Sequence, residues 1–223
     1  PTKKVPGLPD FRVPRALNNK LKKFQEYMRE GMGAFMAGDV DSALLSFEGA
    51  RNFNSAQPMM QRSIALYCNG DYAEAECQLE QDIEYMEKMG LSKATDMRLW
   101  RAACLLKLGR GSDEVEEVLD PDDLDPRSLV ESRVLFKALL RLYTCRDEEA
   151  TLTQVVEMIG NCGEESLGGA VFYGNFYVGL FLDAVGNRDM AAAFFQVPRE
   201  SNRFPNEDMW YHLPRILCDK LGY

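Results

Sequence analysis

The sequence predicts an all-α protein assembled from stacked helical hairpins, and three observations predict it. Gly31 to Ala50, GMGAFMAGDVDSALLSFEGA, sets small residues at Gly31, Ala34, Gly38, Ala43 and Ala50 and a large aromatic at Phe47, the spacing of two helices clasped across a tight turn. A similar phrase returns near Asp71 to Asp82 and again near Gly179 to Phe195, so the unit repeats. Four stretches of helical periodicity are also closed by Gly with a capping type soon after it: Gly38-Asp39, Gly70-Asp71, Gly109-Arg110-Gly111-Ser112 and Gly186-Asn187. The 223 residues, 46% hydrophobic and 27% charged, suffice for one continuous domain with a buried core over 15–223.

In chain order, Pro1 to Pro14 holds four of the ten prolines and predicts an extended arm. From Arg15, the apolar positions Leu17, Leu21, Phe24, Met28, Met32 and Phe35 recur every three to four residues, a helix ending at Gly38. Asp39 caps its partner, which runs through Ala43, Phe47 and Ala50 to about Phe53. Gln57-Pro58 starts a helix through Ile64 and Tyr67, and Asp71 opens the next, with Tyr72, Ala75, Leu79 and Ile83 inward. A fifth helix over about Lys93 to Leu108 is anchored by Trp100, and Ser112 caps a short acidic helix through Val115, Val118 and Leu119.

The segment DPDDLDP that follows has two prolines within six residues and predicts a loop. Its aspartates lack the central Gly and closing Glu of a calcium loop, so no metal is expected there. Asp125-Pro126 opens a helix through Leu129, Val134, Phe136, Leu139 and Leu142, and Asp147 to Ile159 is its short partner. Asn161-Cys162-Gly163 breaks the chain. Phe172, Phe176, Leu180 and Val185 then lead to Gly186-Asn187, with Ala191, Phe194 and Phe195 returning as far as Pro198. The last element, Asn206 to Leu221, begins with an Asn cap and carries Met209, Trp210, Leu213 and Leu217 on one face, the pattern of a helix that caps the end of a stack.

Charge narrows the function. The formal net charge of -9 argues against nucleic acid as the main ligand. Up to Met36 the eight basic residues exceed the three acidic ones, whereas Asp113 to Asp125 carries eight acids and no base. Lys3, Lys4, Arg12, Arg15, Lys20, Lys22 and Lys23 therefore form a basic arm, either simply solvated or suited to an acidic protein surface or anionic lipid headgroups. No apolar run is long enough to span a bilayer. The six cysteines show no metal-ligand spacing and are expected as free thiols, mostly buried, including Cys68 and Cys77, which sit in one hairpin. His212 is the only histidine and is expected to be a surface or packed residue. No G-x-S-x-G, P-loop, G-x-G-x-x-G or H-E-x-x-H occurs, so neither catalysis nor a cofactor is expected. The missing initiator Met is consistent with a removed targeting segment or a trimmed chain.

These hairpins resemble the tetratricopeptide repeat. Gly31, Gly38, Ala43, Phe47 and Ala50 stand at its small, turn and aromatic positions in the first hairpin, Ser63, Gly70, Ala75 and Leu79 in the second, and Gly179, Gly186, Ala191 and Phe195 in a later one. The phrases Gln61 to Asp82, Asp96 to Ala103, Phe172 to Gly186 and Asp208-Met209-Trp210 are further similar to a family of stand-alone, plastid-targeted tetratricopeptide proteins of plants and algae, with Ser63 where that family commonly has Gly. The resemblance implies a right-handed helical-hairpin solenoid with a C-terminal capping helix. It also implies a chloroplast location and a scaffolding or assembly role, with a thylakoid membrane complex as partner. A cytosolic adaptor or co-chaperone is the alternative.

In such hairpins the first helices line a concave groove, which implies Met28, Met32, Phe35, Met60, Ile64, Tyr67 and Leu99 as a Met-rich protein-binding surface, unless the basic helix or arm covers them as core. The Lys and Asn that a carboxylate clamp of this family carries on its first helix are replaced here by Met28 and Met32, and the Lys and Arg on its fifth by Met97 and Trp100, which argues against gripping a chaperone tail.

Overall fold

The computed structural model describes residues 15–91, 94–119, 130–144, 148–161, 167–200 and 205–222. Among them are eleven α-helices and no strand: α1 (Arg15–Met36), α2 (Val40–Arg51), α3 (Met60–Asn69), α4 (Tyr72–Lys88), α5 (Thr95–Lys107), α6 (Ser112–Val118), α7 (Val130–Thr144), α8 (Glu148–Gly160), α9 (Leu167–Ala184), α10 (Arg188–Arg199) and α11 (Met209–Leu221). The protein is all-α. The proline-rich arm with Lys3, Lys4 and Arg12, the DPDDLDP loop, the helix start at Asp125-Pro126, and Cys145 and Cys162 lie outside the described residues.

The turns explain why the chain breaks where it does. At the ends of α1, α3, α5 and α9 the same arrangement recurs: a glycine with positive φ, at Gly38 (87°), Gly70 (94°), Gly109 (69°) and Gly186 (87°), then a backbone N–H returning to the carbonyl five residues earlier. Those bonds are Asp39 to Ala34 at 3.0 Å, Asp71 to Leu66 at 3.0 Å, Arg110 to Leu105 at 3.0 Å and Asn187 to Leu182 at 2.8 Å. Each satisfies an orphan helix carbonyl and turns the chain into the next helix. Asp39 caps α2 by accepting from the Ser42 N–H at 3.0 Å, and Asn187 caps α10 by accepting from the Met190 N–H at 3.4 Å.

Close crossing within the hairpins depends on glycine where an aromatic lies across. A Cβ on Gly31 would stand 2.6 Å from a ring carbon of Phe47, and one on Gly179 would stand 2.9 Å from Phe195. Both rings are fully buried, so there is no free space to absorb the added carbon. The helices pack as pairs α1/α2, α3/α4, α7/α8 and α9/α10, and successive pairs touch through α2/α3, α4/α5 and α8/α9.

Several local expectations change. Gly111, not Ser112, precedes the short acidic helix, and Ser112 is its first residue with no side-chain cap bond. The last helix is capped by Asp208, which accepts from the Trp210 N–H at 2.9 Å, rather than by Asn206. On α7 the predicted stripe is buried at Phe136, Leu139 and Leu142, but Val134 is 63% exposed and its neighbour Leu135 takes the inward place. The larger difference is α11. Besides packing on α10 it touches α1 and α3, where Arg215 donates to the Met36 carbonyl at 2.8 Å and Lys220 to the Tyr67 carbonyl at 2.7 Å. With α9 lying against α5 and α7, the last helices close back on the first ones.

Candidate functional site

Closure decides what becomes of the predicted groove. Phe35, Ile64, Tyr67 and Leu99 are all fully buried, while Met28, Met32 and Met60 are half-buried against the same core. Aromatic rings continue from these residues into the later helices. Tyr67 meets Trp100 edge-on at 5.2 Å, Trp100 meets Phe176 at 5.9 Å, and Phe176 meets Trp210 edge-on at 5.3 Å. Around Tyr67 and Trp100 the surface expected to receive a partner is thus covered by the chain's own α9 and α11, while Met28, Met32 and Met60 stay half-buried. Helical phase groups these residues, but it does not reveal that α9 and α11, far along the chain, return to lie over Tyr67 and Trp100.

A charged knot sits at the edge of that core. Asp183, in the last turn of α9, accepts from the Tyr67 hydroxyl at 2.7 Å and from the Lys107 ammonium at 2.8 Å. Lys107 also donates to the Asp183 carbonyl. Lys220 donates to the Tyr67 carbonyl and to the Tyr72 hydroxyl at 3.3 Å, and stands 5.0 Å and 5.2 Å from those two ring centres. Two lysines therefore neutralise the carbonyl ends of α3 and α9, where the helix dipoles are negative. Burial, then the adjacent Asp183 charge, hold the Tyr67 hydroxyl well above the usual phenol range. It acts as a hydrogen-bond donor here, and the knot fastens α3, α5, α9 and α11 together. His212 Nε2 donates to the Asn206 carbonyl at 2.6 Å, a contact that holds the entry to α11.

Two outward surfaces among the described residues combine exposed leucines with charge. The first is the start of α1. That helix has 22 residues against 12 in α2, an excess of ten residues or about 15 Å. Leu17 to Lys23 are all exposed, with Leu17 at 56% and Leu21 at 46% on the stripe that continues into buried Phe24. Lys20, Lys22 and Lys23 flank them, Lys23 paired with Glu26 at 3.0 Å. Of the predicted basic residues, the structure thus brings Lys20, Lys22 and Lys23 beside two exposed leucines, and Arg15 opens the same helix.

The second surface was missed. Asp41, Leu44, Leu45, Glu48, Arg62, Leu66, Asp71 and Glu74 line a cleft of about 490 Å³ over α2, α3 and the start of α4. Leu45 is 76% exposed. The signal was available: Ala43, Phe47 and Ala50 define the inward stripe of α2, so Leu45, two positions after Ala43, falls on its far side without a core to fill. Arg62 is buried and bonds Glu48 at 3.0 Å, Gln78 at 3.4 Å and Glu74, yet its Nε has no hydrogen-bond partner.

Among the described residues, no three metal-ligating side chains converge and no helix is long and apolar enough to cross a membrane. No protein-family model matches the chain, and no significant match is found among curated proteins or solved structures.

Proposed function

We propose that the chain is a non-enzymatic protein-interaction scaffold, a right-handed helical-hairpin solenoid of the tetratricopeptide kind, that binds a chloroplast thylakoid complex during its assembly or stabilisation. The repeated glycine turns and the Gly31–Phe47 and Gly179–Phe195 crossings support the repeat reading. The chloroplast setting rests on the sequence resemblance. The observation that carries a binding role is the projecting start of α1, where Leu17 and Leu21 are exposed beside Lys20, Lys22 and Lys23. A helix that leaves two leucines in water and surrounds them with cations has the chemistry to dock on an acidic, partly apolar surface. Contact through this outward end replaces the concave groove, because the groove's central residues are already covered.

The test is affinity purification of the tagged full chain from solubilised thylakoid membranes, alongside Leu17→Glu/Leu21→Glu. The expected result is co-purification of a membrane complex by the parent chain, weakened at least about tenfold in the variant. Recovery of no membrane complex, or equal recovery by both proteins, would sink the proposal.

A further inference from the structure

The acidic cleft and the basic end of α1 complement one another. The cleft sets four carboxylates, Asp41, Glu48, Asp71 and Glu74, against the single guanidinium of Arg62, around exposed Leu45, half-buried Leu44 and buried Leu66. The α1 end presents the converse, two leucines one helical turn apart among Lys20, Lys22 and Lys23. α1 is one continuous helix packed along α2, so its first turns cannot swing into the cleft of their own chain.

We infer that a second copy of this chain seats the first two turns of its α1 in the cleft formed by α2, α3 and the start of α4, joining copies head to tail. The contact is heterologous, since the two surfaces differ, so each added copy leaves one free cleft and one free α1 end and the assembly grows as a row or closes as a ring. Two helical turns in one cleft bury far less than a standard interface, so the association is weak, with a dissociation constant on the order of 100 µM. The facing charges make it salt-sensitive. A row still offers one basic end to the membrane partner proposed above, and the inference does not depend on that partner.

Sedimentation velocity of the purified full chain tests it, from about 10 µM to about 1 mM and at about 50 mM and about 500 mM salt. The mean mass is expected to rise with concentration at low salt and to return to that of a monomer at high salt. Leu21→Glu disables the α1 end and Leu45→Glu disables the cleft, and each variant is expected to remain monomeric. Mixed in equal amounts they are expected to form a dimer and nothing larger, because one supplies an intact cleft and the other an intact end. Both substitutions fall on exposed positions, and unchanged thermal melts would establish that both variants are folded. A parent chain monomeric at about 1 mM in low salt overturns the inference, as does a mixture that stays monomeric or grows beyond the dimer. A monomeric parent whose Leu21→Glu variant loses only membrane-complex recovery would likewise overturn it while leaving the proposed function standing.

Discussion

Replacing Asp183 by Ala removes the acceptor shared by Lys107 and Tyr67, and its cost follows from burial. The Asp183 side chain is 4% exposed and that of Lys107 16%, so the lysine keeps its charge in a site largely closed to water while the Tyr67 hydroxyl loses its bond. Breaking a buried pair from one side costs about 3–5 kcal/mol, and in a protein of this size that lowers the melting temperature by about 6–20 °C. Tyr67→Phe removes only one hydrogen bond to a charged acceptor, about 1.5–3 kcal/mol. The triple variant Tyr67→Phe, Lys107→Met, Asp183→Leu removes both members of the buried pair, so Lys107 is not left unpaired, and it is expected to be more stable than Asp183→Ala despite carrying more changes. Thermal and urea unfolding followed by far-UV circular dichroism measures all three. A shift under about 3 °C for Asp183→Ala, or a triple variant less stable than the single one, would refute the claim that the knot fastens the late helices to the early ones.

Three further outcomes are expected. Gly31→Ala forces a methyl against Phe47 and loses about 1–2 kcal/mol even after the gain in helix propensity, whereas Gly33→Ala, with nothing within 4 Å, gains about 0.5–1 kcal/mol; opposite shifts in melting temperature are the check. Burial holds Asp82 above the usual carboxylate range, against the pull of the Met59 N–H at 2.8 Å, Gln78 and Arg62. The folded state therefore keeps this proton to higher pH than the unfolded one, so the Asp82 contribution to stability falls as pH rises above the ordinary carboxylate value; urea midpoints of the parent chain should decline relative to Asp82→Asn as pH is raised from that value, and parallel curves would contradict this. Iodoacetamide at about pH 8 should label exposed Cys77 in the native protein but spare Cys68, whose thiol burial pushes up to about 12, together with Cys104 and Cys218, also raised by burial, until the chain is unfolded; peptide mapping by mass spectrometry reads the difference.

What could be read from the chain was whatever local chemistry decides. Gly38, Gly70, Gly109 and Gly186 announce the turns because positive φ and a returning N–H need no distant partner. Ala75, Leu79 and Trp100 announce their buried faces for a similar reason, each lying on a clear helical stripe. Reading falters where two adjacent residues compete for one role. Val134 and Leu135 are both good core residues, and only packing on neighbouring helices selects Leu135. Asn206 and Asp208 are both good caps, and the Trp210 N–H selects Asp208. It fails where the decision is long-range. Tyr67 and Asp183 are 116 positions apart, and nothing near either forecasts their bond. The groove residues were picked out by phase alone, and phase does not say which helix of the chain will lie over them.

The closing of α11 onto α1 and α3 also bears on how the protein is made. A stack whose units touch only their neighbours can fold progressively as it leaves the ribosome. Here Arg215 meets Met36 across 179 positions and Lys220 meets Tyr67 across 153. Those bonds wait for α11, which is synthesised after every other helix described. Until then Tyr67 lacks the cover that Lys220 gives it, and the end of α3 stays open. Such non-local closure slows the last step of folding, and it makes α11 the element that ties the end of the chain to its first helices.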